Sequence, residues 1–394
     1  MADTSYDVIV VGCGAMGAAT LYQLAKRGKR VLGIDRFAPP HRFGSSHGDT
    51  RITRLGIGEG PHFTPFSLRS HAIWRDIERD TGRTLLTRTG GLVIAGTRAA
   101  PMHVSGFFEN TIAAAKSYGI QHEIIEPADL RRRFPALALR DGESGYYEYE
   151  AGYLGPEACI ETQLALALKH GADVLTSLSV LALEGNTVIT ESRRFSAEHV
   201  VLSAGPWLPD ILGGALSKIF RVFRQVMFWF DIEGALESYL PGRFPIFIWQ
   251  IEGAAQGIYG FPAIDGPLGG IKIAGEQYDV TTAADELLRH VSEDEIAHMF
   301  ETYVAPYLKG VSPRCLRAEP CLYTVTPDAG FVIDAMPGRA GVLVVSACSG
   351  HGFKHSAAIG EAVAEQIVEG RSKLDLSRFR LDRFKQTGTS SPLP

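Results

Sequence analysis

The chain has 394 residues, which at about 150 residues per domain predicts two or three domains. Apolar residues make up 45% and charged residues 21%, a composition that excludes disordered, collagen-like and coiled-coil proteins. The formal net charge of −5 argues against a nucleic-acid partner and against a polybasic membrane-binding patch.

The cysteines and the apolar runs indicate the cellular compartment. Five cysteines without a C-x-x-C pair form neither a disulfide scaffold nor, lacking zinc-spaced histidines, a metal site. The N-terminus runs directly into a strand pattern, and no apolar run reaches about 18 residues. We therefore expect no signal peptide and no membrane span, and we predict a cytoplasmic protein.

The first 35 residues predict one βαβ unit. Tyr6–Val11 is an apolar, β-branched run typical of a buried strand. Ala18–Lys26 carries apolar residues at helical spacing and ends near Gly28. Arg30–Ile34 predicts a second strand, which Asp35 follows.

Later segments alternate between helix and strand patterns. Helices are predicted over Ala158–Lys169, Ala283–Leu308 and His355–Val368, and strands over Val174–Leu183, Thr187–Thr190, His199–Ser203 and Val342–Ser346. Four aromatic and β-branched runs separated by Gly and Pro turns predict an antiparallel sheet: Gln225–Ile232, Phe244–Ile251, Gly257–Phe261 and Gly270–Ala274.

These patterns place Rossmann-like segments at both ends and in the middle of the chain. The predicted fold class is α/β (mixed α+β), with a Rossmann-like nucleotide-binding domain into which an antiparallel-sheet substrate domain is inserted. The predicted nucleotide-binding domain comprises 1–85, 150–220 and 320–385, the substrate domain 86–149 and 221–319, and a polar tail 386–394.

The strongest local motif is G-x-G-x-x-G at Gly12, Gly14 and Gly17, with Ala15 and Met16 between the last two. The first glycine allows a tight turn, the second a close approach to pyrophosphate, and the third close helix–strand packing.

Asp35 stands 18 residues after the last glycine of that motif, where an acid accepts hydrogen bonds from an adenosine ribose. An acid at this position favours FAD or NAD over NADP, whose 2′-phosphate prefers Arg.

Two further turns have the composition of ligand-binding loops. A strand runs into Ala204-Gly205-Pro206-Trp207, and Cys348–Lys354 lies between a predicted strand and a predicted helix. Glycines there allow close backbone approach, and a helix N-terminus suits a flavin carbonyl that gains charge on reduction. The same pattern also fits an ordinary strand–loop–helix connection, so the residues alone leave this alternative open.

One motif points to a different class of enzyme. Residues 44–48 match the hydrolase pattern G-x-S-x-G, with Ser46 as the nucleophile. That motif needs a strand directly before it and a helix directly after it, and neither is predicted here. A hydrolase is therefore a remote alternative.

Four motifs in order resemble the monomeric sarcosine oxidase family, which includes N-methyltryptophan oxidase and pipecolate oxidase. They are His47–Arg51, Tyr259–Pro262, Cys321–Tyr323 and Ser349–Lys354, within a resemblance that runs from residue 6 to about 384. The resemblance implies a two-domain, monomeric FAD flavoprotein that oxidises secondary amino acids and passes electrons to molecular oxygen.

The resemblance also implies how the flavin is held. Cys321 matches the family cysteine that bonds the flavin through a thioether, and Arg51 with loop Ser45–Thr50 matches residues that line the flavin and promote attachment. The cofactor residues implied by the resemblance and the glycine turns are Gly12, Gly14, Ala15, Met16, Gly17, Asp35, Arg36, Ser45, Ser46, Thr50, Arg51, Val180, Ala204, Gly205, Trp207, Cys321, Gly350, His351, Gly352, Phe353 and Lys354.

Catalytic and substrate roles follow by the same resemblance. Lys272 matches the family lysine credited with oxygen activation, Arg51 matches a family residue that lines the flavin, and His47 matches a family histidine near the substrate. The predicted catalytic residues are these three together with Tyr259 and Tyr323. The substrate-binding matches are Arg54 and Lys354, which resemble the family's carboxylate-binding pair, and Tyr259 and Tyr323, which resemble aromatic walls around the amine.

One departure from the family concerns the substrate. Sarcosine-oxidising members carry a histidine four residues after the lysine, whereas this chain has Glu276. A carboxylate there repels a bare substrate carboxylate but pairs with a distal ammonium or hydroxyl. We therefore expect that sarcosine is not the best substrate, unless Glu276 points away from the pocket.

The predicted activity is an FAD-dependent oxidase of a secondary α-amino acid, N-methyl or cyclic, that forms an imine and releases hydrogen peroxide. The first alternative is a dehydrogenase of the same fold that passes electrons to a protein or a quinone. The second is an NAD-binding protein that is not an oxidase.

Overall fold

The computed structural model describes residues 4–96, 99, 102 and 104–385, so the predicted tail 386–394 lies outside the described residues. The helices are α1 (Ala15–Lys26), α2 (Thr64–Thr81), α3 (Phe107–Ser117), α4 (Pro127–Arg133), α5 (Pro156–Lys169), α6 (Leu208–Leu212), α7 (Gly214–Ser217), α8 (Glu293–Met299) and α9 (Ser356–Glu369). The strands are β1 (Thr4–Val11), β2 (Val31–Ile34), β3 (Arg51–Thr53), β4 (Leu86–Arg88), β5 (Gly91–Ala95), β6 (His122–Ile125), β7 (Ser144–Glu148), β8 (Gly152–Leu154), β9 (Asp173–Leu175), β10 (Val180–Glu184), β11 (Thr187–Thr190), β12 (Arg194–Leu202), β13 (Arg221–Ile232), β14 (Ile246–Gln250), β15 (Ile258–Gly260), β16 (Ile271–Gly275), β17 (Val311–Val325), β18 (Val332–Ala335) and β19 (Val342–Ser346).

The first sheet is Rossmann-like. Its strand order is β10-β11-β12-β1-β2-β9, with β19 beside β12 and β18 beside β19. The pairs β1–β2, β1–β12, β2–β9 and β12–β19 are parallel. Helix α1 packs against α5 and α9, and a Cβ on Gly360 would lie 2.5 Å from the backbone of Ala19. These helices cover the parallel strands, whose side chains are buried as such sheets require.

The second sheet has the order β17-β13-β16-β15-β14-β5-β7-β6. Every pair in it is antiparallel except β14 with β5. A large aromatic core that includes Trp249, Phe230 and Phe247 packs against one of its faces. A small third sheet, β3-β8-β4, completes the strands.

The predicted fold class is confirmed: a mixed α/β chain with a Rossmann-like sheet and a mainly antiparallel sheet. Strand β17 runs across residues 319 and 320, where the predicted domain boundary falls, and it pairs with β13. The predicted division into domains stays a prediction.

Two predicted elements are wrong. Residues 283–308 do not form one long helix, because Ser292 and Glu295 form a capping box that begins α8 at Glu293, and a π-helical turn, Phe300–Val304, follows α8. Residues 174–183 form two strands, because Ser177 adopts a left-handed conformation with φ of 56° between them.

The length and the apolar character of each helix decide whether it could cross a membrane. Among the residues that the structure describes, no helix has the length and apolar character needed to cross a bilayer.

Candidate functional site

The main cavity lies where the two large sheets meet. It measures about 500 Å³ and is lined by the turns that follow β1, β2, β12 and β19 and by side chains from β13, β15 and β17. Ligands of open α/β sheets bind at the carboxyl ends of the strands, so this position is the one expected for a cofactor.

The first turn has the geometry of a dinucleotide cradle. Gly12 has a φ of +87°, and a Cβ there would meet Ser203 O at 2.6 Å. A Cβ on Gly17 would meet Gly12 O at 1.8 Å, so this glycine allows α1 to pack closely on the turn. A Cβ on Gly14 would have no atom within 4 Å, and Gly14 faces the cavity with Ala15 and Met16. The turn therefore leaves open space at the N-terminus of α1, where a phosphate is stabilised.

Asp35 borders the same cavity at the end of β2. Its Oδ2 accepts a hydrogen bond from Cys13 N at 2.7 Å, and its Oδ1 accepts one from Phe37 N at 2.8 Å. These bonds fix the carboxylate between the first glycine turn and the loop after β2, so both oxygens keep lone pairs for a ligand hydroxyl.

An aromatic slot adjoins Asp35. The rings of Phe37 and Phe43 stack with centroids 4.4 Å apart, and Trp207 lies 5.4 Å from Phe37. Trp207 Nε1 and Arg36 both donate to Asp285, each at 2.8 Å. Such flat apolar faces with a polar edge suit a planar heterocycle.

Two further turns line the cavity: residues 204–207 form the second turn, after β12, and residues 348–354 form the third, after β19. Ser349 and Gly350 have φ angles of +41° and +78°, and a Cβ on Gly352 would meet Ala347 O at 1.7 Å. His351 Nε2 pairs with Ala329 O at 2.9 Å, which fixes the turn. The three turns and the slot together fit an elongated dinucleotide such as FAD, since each leaves backbone or ring surface facing one continuous cavity.

Cys321 is the cysteine with an activated thiol. Burial raises the pKa of the thiols of Cys13, Cys159, Cys315 and Cys348. Burial acts in the same direction on Cys321, but His47, Arg51 and Lys272 outweigh it and lower its pKa to about 7. A thiol with this pKa is about half thiolate at neutral pH and is therefore a nucleophile.

Arg51 connects Cys321 to the loop before β3. Its Nη2 lies 3.7 Å from Cys321 Sγ and donates to Ser45 O at 2.9 Å, while its Nη1 donates to Thr50 O at 2.8 Å. The guanidinium therefore holds both ends of the loop against the thiol and supplies a fixed positive charge there.

Lys272 lies behind the wall of the cavity and is 3% exposed. Its ammonium donates to Gly48 O at 2.6 Å, to Thr50 O at 3.0 Å and to Thr50 Oγ1 at 3.2 Å. Burial, and then the charge of Arg51, lower its pKa well below the ordinary value. Lys272 is therefore a preorganised cation whose charge is sensitive to its neighbours.

His47 has an acidic neighbour that sequence reasoning missed. Its Nδ1 lies 3.5 Å from Glu319 Oε2. Burial lowers the pKa of His47, but interactions with Cys321 and Glu319 outweigh this and raise it. Glu319, whose pKa is lowered by the bond to His47, precedes Cys321 by two residues on the same face of β17.

Arg54 and Lys354 approach each other across the cavity, and Glu59 lies between them. Arg54 Nη2 donates to Glu59 Oε2 at 2.5 Å, and Lys354 Nζ donates to Glu59 Oε1 at 3.2 Å. Arg54 Nε is buried and has no hydrogen-bond partner among the described residues, which leaves a donor for a ligand. Burial lowers the pKa of Lys354 to about 8 despite the opposing charge of Glu59.

Two tyrosines and an acid also line the cavity. The hydroxyls of Tyr259 and Tyr323 lie 3.2 Å apart, and burial raises the pKa of Tyr259 to about 12. Glu276 lines the same cavity, is 8% exposed and accepts a hydrogen bond from Tyr278 at 3.3 Å. Glu276 therefore borders the pocket, and its contact with a substrate stays a prediction.

Most of the predicted site residues line this one cavity. They are Gly12, Gly14, Ala15, Met16, Asp35, Arg36, Ser45, Ser46, Arg51, Arg54, Val180, Ala204, Gly205, Trp207, Tyr259, Glu276, Cys321, Tyr323, Gly350, His351, Gly352, Phe353 and Lys354. Gly17, His47, Thr50 and Lys272 are buried and are not among the residues that line it. Ser46 lies in a stretch, 41–50, without helix or strand, so the strand–turn–helix of a hydrolase is absent around it.

Comparisons with known proteins define the class. The family described as FAD dependent oxidoreductase matches residues 7–366. The chain belongs to this family, as the motifs predicted, and FAD is its cofactor rather than NAD.

Two relatives show which type of FAD-dependent oxidoreductase this chain is. Monomeric sarcosine oxidase of Streptomyces avermitilis is 35% identical over 380 residues, which cover 95% of this chain and 97% of the relative. N-methyl-L-tryptophan oxidase of Yersinia pestis is 32% identical over 384 residues, 96% of this chain and 100% of the relative. The chain is thus an FAD-dependent oxidoreductase of the sarcosine oxidase and N-methyltryptophan oxidase type.

Solved structures agree on the fold. NikD, an unusual amino acid oxidase essential for nikkomycin biosynthesis, has a TM-score of 0.81 at 22% identity and covers 96% of this chain and 97% of its own. L-proline dehydrogenase from P. horikoshii has a TM-score of 0.78 at 20% identity and covers 98% and 99%.

Proposed function

We propose that this protein oxidises the C–N bond of a secondary α-amino acid, N-methyl or cyclic, to an imine and reduces molecular oxygen to hydrogen peroxide. The observation that carries the proposal is a shared cavity: the dinucleotide turns, the Cys321 thiol and the Arg54–Lys354 pair all line it. A cofactor and a carboxylate-bearing substrate would therefore lie side by side.

FAD would be held by the three glycine turns and joined to Cys321 by a thioether. The C–S bond would replace a C–H bond of a flavin methyl group, and the two electrons released would pass to the flavin and then to molecular oxygen. The lowered pKa of Cys321 supports this role, because the thiolate is the nucleophile that attachment needs. The neighbouring Arg51 supports it as well, since its fixed charge favours the thiolate. Bound FAD would supply the redox chemistry, accepting two electrons from the amino acid.

The substrate carboxylate would bind between Arg54 and Lys354. In the described structure Glu59 pairs with both cations, so an incoming carboxylate would compete with Glu59 for them. Arg54 suits the role because its planar guanidinium binds a carboxylate through two parallel bonds. The rings of Tyr259 and Tyr323 would flank the amine, where aromatic faces tolerate an N-alkyl group and attract a cation.

Oxygen would be reduced near Lys272. A buried ammonium held by three loop oxygens is fixed before the reaction and stabilises negative charge that develops beside it. We assign no side chain as a strong base, because an amine that binds in its neutral form needs none.

We also propose a division into two domains, a monomeric state and a cytoplasmic location. Residues 1–85, 150–220 and 320–385 would form the flavin domain, and 86–149 with 221–319 the substrate domain. The monomeric state and the cytoplasmic location remain predictions from the sequence.

A peroxide assay over N-methyl and cyclic amino acids tests the proposed function. We expect peroxide release with at least one secondary amino acid and little with primary amino acids of the same side chain. Substrate-dependent bleaching of the flavin under nitrogen, with no peroxide in air, would instead support a dehydrogenase that passes electrons to a protein or a quinone. No bleaching with any secondary amino acid would refute the substrate class.

Glu276 is expected to set the choice among substrates. Replacing Glu276 by Gln should lower kcat/KM for a substrate with a distal ammonium or hydroxyl by about 10- to 100-fold, the value of a charge-assisted bond. Glu276→His should improve sarcosine turnover relative to larger amines, since it removes a carboxylate that repels the carboxylate of this small substrate. The buried acid Glu365, outside the cavity, offers the control variant Glu365→Gln. Equal losses for substrates with and without the distal group would contradict this role.

The binding of a carboxylate should depend on pH through Lys354. Its pKa is about 8, so the ammonium is charged below this pH and is lost as the pH rises through it. We expect the Kd of propanoate, which has no amine to titrate, to rise about tenfold between pH 7 and 9.5. Lys354→Met should bind propanoate weakly at every pH, and a flat wild-type profile would remove Lys354 from the site.

A further inference from the structure

Three side chains lie in one row across the second sheet. Trp229 of β13 is paired with Lys272 of β16 on one side and with Arg317 of β17 on the other. The Arg317 guanidinium carbon lies 3.6 Å from the centre of the indole, and Lys272 Nζ lies 5.1 Å from it. One aromatic ring therefore contacts both a buried and a half-exposed cation.

The same two cations also hold one loop. Lys272 donates to the oxygens of Gly48 and Thr50, and Arg317 forms an ion pair with Asp49, the residue between them. Asp49 has a φ of +67°, a left-handed conformation that is uncommon in residues other than glycine, and the contacts of this loop stabilise it. The contacts thus form a closed ring from Lys272 through residues 48–50 to Arg317 and back through Trp229.

We propose that Arg317 is a positioning residue for Lys272: it fixes residues 48–50 through Asp49 and fixes the indole that Lys272 contacts. The oxygen-related part of this proposal rests on the proposed function, whereas the hold on the loop does not. Arg317 is 40% exposed on its side chain, so it acts on the buried site from the protein surface.

Through its ion pair with Asp49, Arg317 would also affect the charge of Lys272. The ionisable groups that act on Lys272 are Arg51 of β3, Asp49 of the loop, Cys321 of β17 and Glu157 of α5. Asp49 favours the charged ammonium, and Arg317 partly neutralises Asp49. Loss of Arg317 would leave Asp49 uncompensated and favour the ammonium, while loss of the Asp49 charge would disfavour it.

Hydrogen exchange of the flavin-loaded protein tests the hold on the loop. We expect the amides of residues 48–51 to exchange at least tenfold faster in Arg317→Met and in Asp49→Asn than in the wild type. The matched control is Arg314→Met on the same strand, whose ion pair with Asp231 lies away from the loop. Unchanged exchange in Arg317→Met would overturn the proposal.

Arg317→Lys is a second, more conservative variant that keeps the test valid if Arg317→Met does not fold. It keeps the charge for Asp49 but loses the planar face that stacks on Trp229. We expect it to restore part of the protection of residues 48–51, and equal exchange in Arg317→Lys and Arg314→Met variants would overturn the role of stacking.

The rate of reoxidation by oxygen against pH tests the electrostatic part. The midpoint should shift to higher pH in Arg317→Met and to lower pH in Asp49→Asn, although both variants lose the same ion pair. A purely structural role would shift both in one direction or neither, and that result would overturn the proposal. A wild-type protein that oxygen does not reoxidise would refute the proposed oxidase function, and the exchange data would still decide whether Arg317 holds the loop.

Discussion

Replacing Cys321 by Ser is expected to release the flavin on acid precipitation, so that the colour moves from the pellet to the supernatant. The expectation rests on the contrast among the five cysteines, because Cys321 alone has a lowered pKa, about 7. A serine hydroxyl has almost the same size but is not ionised at neutral pH, so it cannot serve as the nucleophile. The measurement is an absorption spectrum of pellet and supernatant.

Cys348 supplies the matched control for this experiment. It borders the same cavity, but burial raises the pKa of its thiol. Cys348→Ser should therefore keep the colour in the pellet. Colour in the pellet of Cys321→Ser would place the attachment elsewhere, and a wild-type pellet without colour would show that the flavin is not covalent.

The glycine turn after β1 could be predicted from the sequence because its constraints are local. Gly12, Gly14, Gly17 and Asp35 all lie within one βαβ unit, and each requirement concerns the backbone or a single side chain. The strand, the turn and the helix are confirmed, apart from the start of α1 at Ala15 rather than Ala18.

The sequence does not predict that Glu59 pairs with Arg54 and Lys354, because nothing in its local sequence indicates this contact. It lies in an irregular stretch before α2 and meets Lys354, which is 295 residues away in the chain. A single acid in a loop is most often a solvated side chain, and only the fold brings it between two cations.

Local sequence signals do exist for two features that the predictions lack, Glu319 beside the site and the helix start at Glu293. Arg317, Glu319, Cys321 and Tyr323 alternate along β17, so the period of two places them on one face of the sheet. The motif from Ser292 to Glu295 is a capping box, which predicts a helix start at that point instead of continuous helix from residue 283.

Replacing Lys272 by Met is expected to slow reoxidation by oxygen by about 10²- to 10³-fold, the usual cost of removing one preorganised donor. Reduction by the amino acid under nitrogen should change far less, because the proposed carboxylate-binding residues, Arg54 and Lys354, bond to Glu59 and to His351 and do not depend on Lys272. The two half-reactions are measured separately by stopped-flow absorbance. Equal losses in both would mean that Lys272 supports the flavin site as a whole.

The pH profile separates the charge of Lys272 from its packing. Its pKa is lowered well below the usual value, chiefly by burial, so the ammonium loses its proton at a correspondingly lower pH. Reoxidation of the wild type should therefore slow as the pH rises through this range, and the step should be absent in Lys272→Met. Lys309→Met, at an exposed lysine, should keep the wild-type profile. A step of the same size in Lys272→Met would assign the titration to another group and remove the oxygen role from Lys272.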